Sequence, residues 1–96
     1  MVVYQLVIEK KALEFVNSLP QKSRRMVIEK CKTLGVEPFP GQGDKELIRR
    51  KGHKDIYRLH ISRSYTAFYK IYKEKKRVKI PAIMTIEQAH KTYGQF

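Results

Sequence analysis

Hydrophobic positions along the 96-residue chain change their period more than once. From Val2 to Ile8 they alternate, with Tyr4, Leu6 and Ile8 set against Val3, Gln5 and Val7. The segment is rich in β-branched and aromatic residues, which predicts a strand. From Glu9 the period lengthens. Ala12, Phe15, Val16 and Leu19 fall at i, i+3, i+4 and i+7, a single apolar stripe that predicts a helix from about Lys10 to Leu19, ended by Pro20. Val27, Cys31 and Leu34, flanked by Met26 and Ile28, resume the helical spacing. Gly35 stands where a C′ glycine would close this second helix, and the pair reads as an αα-hairpin. The stretch VEPFPGQGD over 36–44, with two Pro and two Gly, is the strongest loop signal in the chain.

Downstream the period returns to two. Asp55 to Ile61 puts Tyr57, Leu59 and Ile61 on one face and Ile56, Arg58 and His60 on the other, so one face is expected in the core and the other as a polar, basic surface. Tyr65 to Lys73 sets Tyr65, Ala67, Tyr69 and Ile71 opposite Thr66, Phe68, Lys70 and Tyr72. Arg63 and Ser64 make a hairpin loop between these two strands, and Glu74 to Lys76 a second tight connection. Val78, Ile80, Ala82 and Met84 predict a last strand, in which Pro81 removes a ladder donor and marks an edge or a bulge. Thr85 followed by Gln88 forms a capping box for a short closing helix that Gly94 would end. The predicted order is a strand, a two-helix hairpin, a meander of three to four antiparallel strands and a short C-terminal helix, an α+β domain.

Composition sharpens this picture. The 21 Lys and Arg against 9 Asp and Glu leave a net charge of +12 on one small domain, read as residues 1–96 without linker or repeat. The charge is uneven: residues 44–79 hold 13 Lys and Arg against four Asp and Glu, whereas residues 80–96 balance. Such a surface suits a polyanionic partner. No apolar run approaches a membrane span and no secretory signal is evident. With a single cysteine, a reducing cytoplasm is the expected setting.

Several chemistries are excluded by what is missing. The chain has no paired cysteines, no His-x-x-x-His, no acidic cluster for a hard cation and no glycine-rich phosphate loop. No metal or cofactor is expected. Cys31 lies on the apolar stripe of the second helix and reads as a buried, inert thiol. What remains is a basic strand face with interleaved rings: Arg58 and His60 on one strand, Thr66, Phe68 and Tyr72 on the next, and Arg49, Arg50, Lys51 and Lys54 just upstream. Cations and stackable rings suit a single-stranded phosphodiester chain. The same spacing also fits a solvated sheet face that serves only solubility.

The joint order of these strings resembles the RelE/ParE toxin superfamily of toxin–antitoxin systems, and within it the RelE-type mRNA endonucleases. The resemblance covers nearly the whole chain. KALEFVNSLP is similar to the family's first helix, RRMVIEKCKTLGVEPFPG to its second helix and following loop, and DIYRLHI with SYTAFYKIY to its paired central strands. It implies a ribosome-dependent endoribonuclease that needs no metal, in which the substrate's own 2′-OH attacks the phosphate. Arg58 and His60 match the family's basic positions on the central strand, as phosphate-binding and proton-transferring groups. Glu46 is similar in position to the catalytic glutamate of the YoeB-like branch, and Tyr93 to a C-terminal tyrosine that positions the substrate nucleotide. His90 lies one helical turn before Tyr93. Arg49, Arg50, Lys51, Lys54, Arg63 and Lys91 are the expected RNA-binding cations. The implied partners are the ribosome with its mRNA and a small acidic, RelB-like antitoxin that oligomerises with the toxin.

Each of these residues also has a structural reading. Glu46 pairs with a neighbouring cation, His60 and His90 serve as surface residues, or Tyr93 packs the last helix through the Ile86, Ala89, Tyr93 spacing. The chain also departs from the family pattern at two points. Thr66 stands where relatives carry Arg, and Thr85, Ile86 and Glu87 stand where a basic motif usually follows the last strand. Removing one fixed cation from such a transition state costs on the order of 3 kcal/mol, about a hundredfold in rate. The alternative function is therefore a catalytically impaired relative, or a ParE-like toxin that inhibits DNA gyrase by binding.

Overall fold

In the computed structural model, residues 3–41, 43–49, 52 and 54–92 are described. The alternating N-terminal segment forms β1 (Gln5–Ile8), and the two apolar stripes form α1 (Lys10–Asn17) and α2 (Gln21–Lys32). The loop leads to β2 (Lys45–Ile48), followed by β3 (Ile56–Ile61), β4 (Tyr65–Tyr72), β5 (Arg77–Thr85) and α3 (Ile86–Thr92). The expected α+β order holds, with the meander reaching its upper count of four strands. The added strand is β2, whose four residues KELI are too few to display a period.

The five strands form one sheet in the order β1-β5-β4-β3-β2. β1 runs parallel to β5, with Leu6 opposite Val78, while all other neighbours are antiparallel. The two helices cover one sheet face. Ala12 and Val16 of α1, Val27 and Cys31 of α2, and Leu59, Tyr69, Val78 and Ile80 of the strands form a continuous buried core. Burying apolar surface of this kind is the main stabilising term of a small domain. Tyr69, itself inside the core, donates its hydroxyl to the Pro38 carbonyl at 2.7 Å, which fastens the long loop to the sheet.

Three sequence expectations need correction. Gly35 is not a C′ glycine directly closing α2: the helix gives way to a 3₁₀ turn over Thr33–Gly35, and Gly35 has no positive φ. Its smallness matters for another reason, because a Cβ there would stand 3.3 Å from the Tyr4 carbonyl oxygen. The last strand does not keep Val78, Ile80, Ala82 and Met84 on one face. Phe68 pairs with Ala82 but Lys70 pairs with Lys79, so β5 carries one extra residue around Pro81. That bulge turns Ala82 and Met84 to the face opposite Val78 and Ile80.

The third correction concerns the face read as a basic surface, which is partly a second core. Thr85 and Gln88 form the expected capping box, with reciprocal bonds of 3.1 and 3.2 Å between side chains and backbone N–H groups. The capped α3 lays Ala89 on Ile56 and Phe68, with Ile48, Ala82 and Met84 around them. Phe68 is fully buried there and is not a free stacking ring. Among the described residues no helix is long and apolar enough to cross a membrane.

Candidate functional site

The antiparallel register of β2 and β3 sets Glu46 directly opposite Arg58, and alternation along β3 brings His60 to the same side. Glu46 Oε1 lies 3.6 Å from Arg58 Nε and 3.9 Å from His60 Nε2. One carboxylate thus faces a guanidinium and an imidazole at once. The three differ in access: the Arg58 side chain is 11% exposed, that of His60 35% and that of Glu46 48%. Arg58 is held within the protein while the other two reach solvent.

The surroundings fix this geometry. The His60 backbone N–H donates to the Asp44 carbonyl at 2.8 Å, extending the ladder beyond β2. Asp44 is itself anchored by an ion pair to Lys30 of α2. The hydrogen bond from that ammonium holds the Asp44 carboxyl below the usual carboxylate range, against the opposing effect of partial burial. Phe68 stands opposite Arg58, and Thr66 opposite His60. Thr66 is fully buried and donates its hydroxyl to the Leu59 carbonyl at 3.1 Å.

The structure therefore brings Glu46, Arg58 and His60 together. Arg49 follows β2 and is exposed, as are Arg63 in the β3–β4 turn and His90 and Lys91 on α3. Lys54, ahead of β3, sits 4.7 Å from the centre of the Tyr72 ring, at the other end of the strand pair from His60. Arg50, Lys51 and Tyr93 lie outside the described residues. Among the described residues no group of three His, Cys, Asp or Glu side chains could hold a metal ion. Cys31 is buried, and burial pushes its thiol up to about 12. Asp44, which positions His60 through its backbone, escaped the sequence reading because only the β2–β3 register reveals it. A buried guanidinium can hold a phosphate oxygen, and an accessible carboxylate with an accessible imidazole can exchange protons with a bound hydroxyl and a leaving group.

The α+β arrangement, with its two-helix layer on one side of the sheet, recurs in solved structures of toxin–antitoxin proteins. Its solved neighbours agree. A chain of an archaeal RelE–RelB complex from Pyrococcus horikoshii OT3 superposes with a TM-score of 0.72 at 26% identity, over 88% of this chain and 96% of that one. A chain of the RelBE2 toxin–antitoxin complex from Mycobacterium tuberculosis gives a TM-score of 0.72 at 22% identity, covering 88% and 93%. A YoeB/ParE toxin from Agrobacterium tumefaciens gives 0.67 at 14%, covering 84% and 96%. No protein-family model and no curated protein matches the sequence. By fold, the chain belongs to the RelE-like toxin superfamily.

Proposed function

We propose that the chain is the toxin of a type II toxin–antitoxin system and acts as a ribosome-dependent mRNA endonuclease. The observation that carries this reading is the convergence of Glu46, Arg58 and His60 on one strand pair, with Arg58 buried and the proton-exchanging groups open. In the reaction, Glu46 takes the proton of the substrate's 2′-OH as its oxygen attacks the adjacent phosphorus. Arg58 holds the non-bridging oxygens as negative charge builds on them. His60 in its protonated form hands a proton to the departing 5′-oxygen as the P–O5′ bond breaks, leaving a 2′,3′-cyclic phosphate and a 5′-hydroxyl. The exposed Arg49, Arg63 and Lys91 contact the ribosomal and messenger backbone. An acidic, RelB-like antitoxin restrains the toxin by covering this surface.

The test is cleavage of mRNA on programmed ribosomes by the purified protein, its Arg58→Ala variant and its His60→Ala variant. Loss of Arg58 should slow cleavage about a hundredfold, as removal of one transition-state donor does. His60 is half exposed, so its variant keeps the test meaningful if Arg58→Ala folds poorly. Absence of cleavage by the parent protein at any salt, with growth inhibition unchanged by Arg58→Ala, rejects the enzymatic reading.

One observation favours a second reading. Thr66 is sealed in the sheet with its hydroxyl engaged, and Glu87 is an exposed acid, so two positions that are basic in relatives supply no cation. A toxin that acts only by binding, such as a ParE-like gyrase inhibitor, would arrest growth with intact mRNA and accumulating cleaved DNA.

A further inference from the structure

At the far end of the same sheet face, β4 and β5 carry a group of cations that the Glu46 cluster does not use. Lys70 stands directly opposite Lys79, and Tyr72 opposite Arg77. Two like charges in direct cross-strand register destabilise a sheet, and here they sit on inner strands. No carboxylate forms an ion pair with Lys70, Lys79 or Arg77 among the described residues. The Tyr72 ring offsets part of the repulsion, with the Lys79 ammonium 5.4 Å and the Lys54 ammonium 4.7 Å from its centre. A second, independent feature points the same way. Arg77 Nε is buried and makes no hydrogen bond, an arrangement that natural structures seldom leave unexplained. Beside Lys54 and Tyr72 opens a cleft of about 630 Å³, lined also by Lys73 and Lys75 and by the acids Asp55 and Glu74.

We propose that Lys54, Lys70, Arg77 and Lys79 around Tyr72 form a second phosphate-binding site, which takes the backbone of a single-stranded RNA whose scissile link lies at Glu46, Arg58 and His60. An incoming phosphate turns the Lys70–Lys79 repulsion into a shared attraction. Thr66, beside His60, and Tyr72 are six residues apart on β4, a separation of about 20 Å at the rise of an extended strand. Both sites occupy one face, on which α3 packs over Ile56 and Phe68, so one strand of RNA reaches both by passing around α3. A strand of about 12 nucleotides falls within the range that single-strand grooves cover. The inference rests on the reading of this face as the RNA-binding one and adds a substrate path to it.

The experiment is binding of a 12-nucleotide single-stranded RNA by fluorescence anisotropy across a salt series, for the parent protein and Lys70→Gln/Lys79→Gln. Loss of two phosphate contacts should lower the slope of log affinity against log salt by about 1.4, so that from 50 to 200 mM salt the parent loses about sevenfold more affinity than the variant. Relief of the like-charge pair should leave the melting temperature unchanged or higher, which excludes misfolding as the cause. An unchanged slope, or no binding by the parent, overturns the site. An unchanged slope with weakened binding of a polyglutamate peptide overturns it in favour of an acidic protein partner. Failure of the endonuclease reading shows separately, as intact mRNA on ribosomes with this salt dependence retained.

Discussion

Replacing Glu46 by Gln removes one charge from the Glu46–Arg58–His60 cluster while preserving side-chain shape. At the 3.6 Å between Glu46 Oε1 and Arg58 Nε, two unit charges attract by about 4.6 kcal/mol at an effective dielectric of 20, and by about 1.2 kcal/mol in bulk water. The guanidinium is nearly buried but the carboxylate is half exposed, which places the interaction toward the lower figure. The Gln carbonyl retains part of the polar contact, so the expected net loss is about 1 kcal/mol. For a domain of this size that lowers Tm by about 4–8 °C, measurable by circular dichroism or calorimetry. RNA binding should move the other way, since the carboxylate no longer competes with phosphate for Arg58. A double-mutant cycle with Arg58→Met isolates the pair term. If Glu46→Gln shifts Tm by less than a degree and the cycle shows no coupling, the carboxylate is simply solvated and the electrostatic account of the cluster is wrong.

Further outcomes are expected elsewhere. Tyr69→Phe removes the hydroxyl that binds the Pro38 carbonyl and strands a buried acceptor, at a cost of about 1–3 kcal/mol in denaturant unfolding. The folded Asp44 carboxyl titrates below its ordinary 3.8 because of Lys30, so its stabilisation is complete above that pH and fades as pH falls through the lowered value. The stability difference between the parent and Asp44→Asn should therefore shrink only in acid, and a difference that grows in acid would contradict the Lys30 tie. The Cys31 thiol, with its pKa pushed up to about 12 by burial, should resist a thiol reagent at pH 8 until denaturant is added. Fast labelling of the native protein would contradict its buried position.

Local patterns made much of this molecule legible. The strand-to-helix change of period at Glu9, the stripe that buries Ala12 and Val16, and the Thr85–Gln88 capping box all rest on interactions within a few residues, which sequence spacing records directly. The pairing of Arg58 and His60 on one strand face was equally readable, because alternation is a local property. Other features depended on partners far away in the chain. β2 is marked by no period of its own and exists because β3 offers it a ladder. The bulge at Pro81 was foreseen, but its effect was not: a single extra residue reverses which side chains of β5 face the helices.

Composition and periodicity determined a basic α+β order, with a two-helix hairpin ahead of an antiparallel meander and a short closing helix, and determined that the charge gathers between residues 44 and 79. Only the tertiary structure decided that Glu46 meets Arg58, since the two stand 12 positions apart and are joined by a ladder whose register no local rule sets. It also decided that Phe68 is sealed beneath α3 and that Thr66 is buried in the sheet, that β1 joins β5 in parallel, and that Lys70 confronts Lys79. The reason is common to all of these. Alternation assigns a residue to a face of its own strand, but which strand lies beside it and what covers that face follow from burying apolar surface across the whole chain.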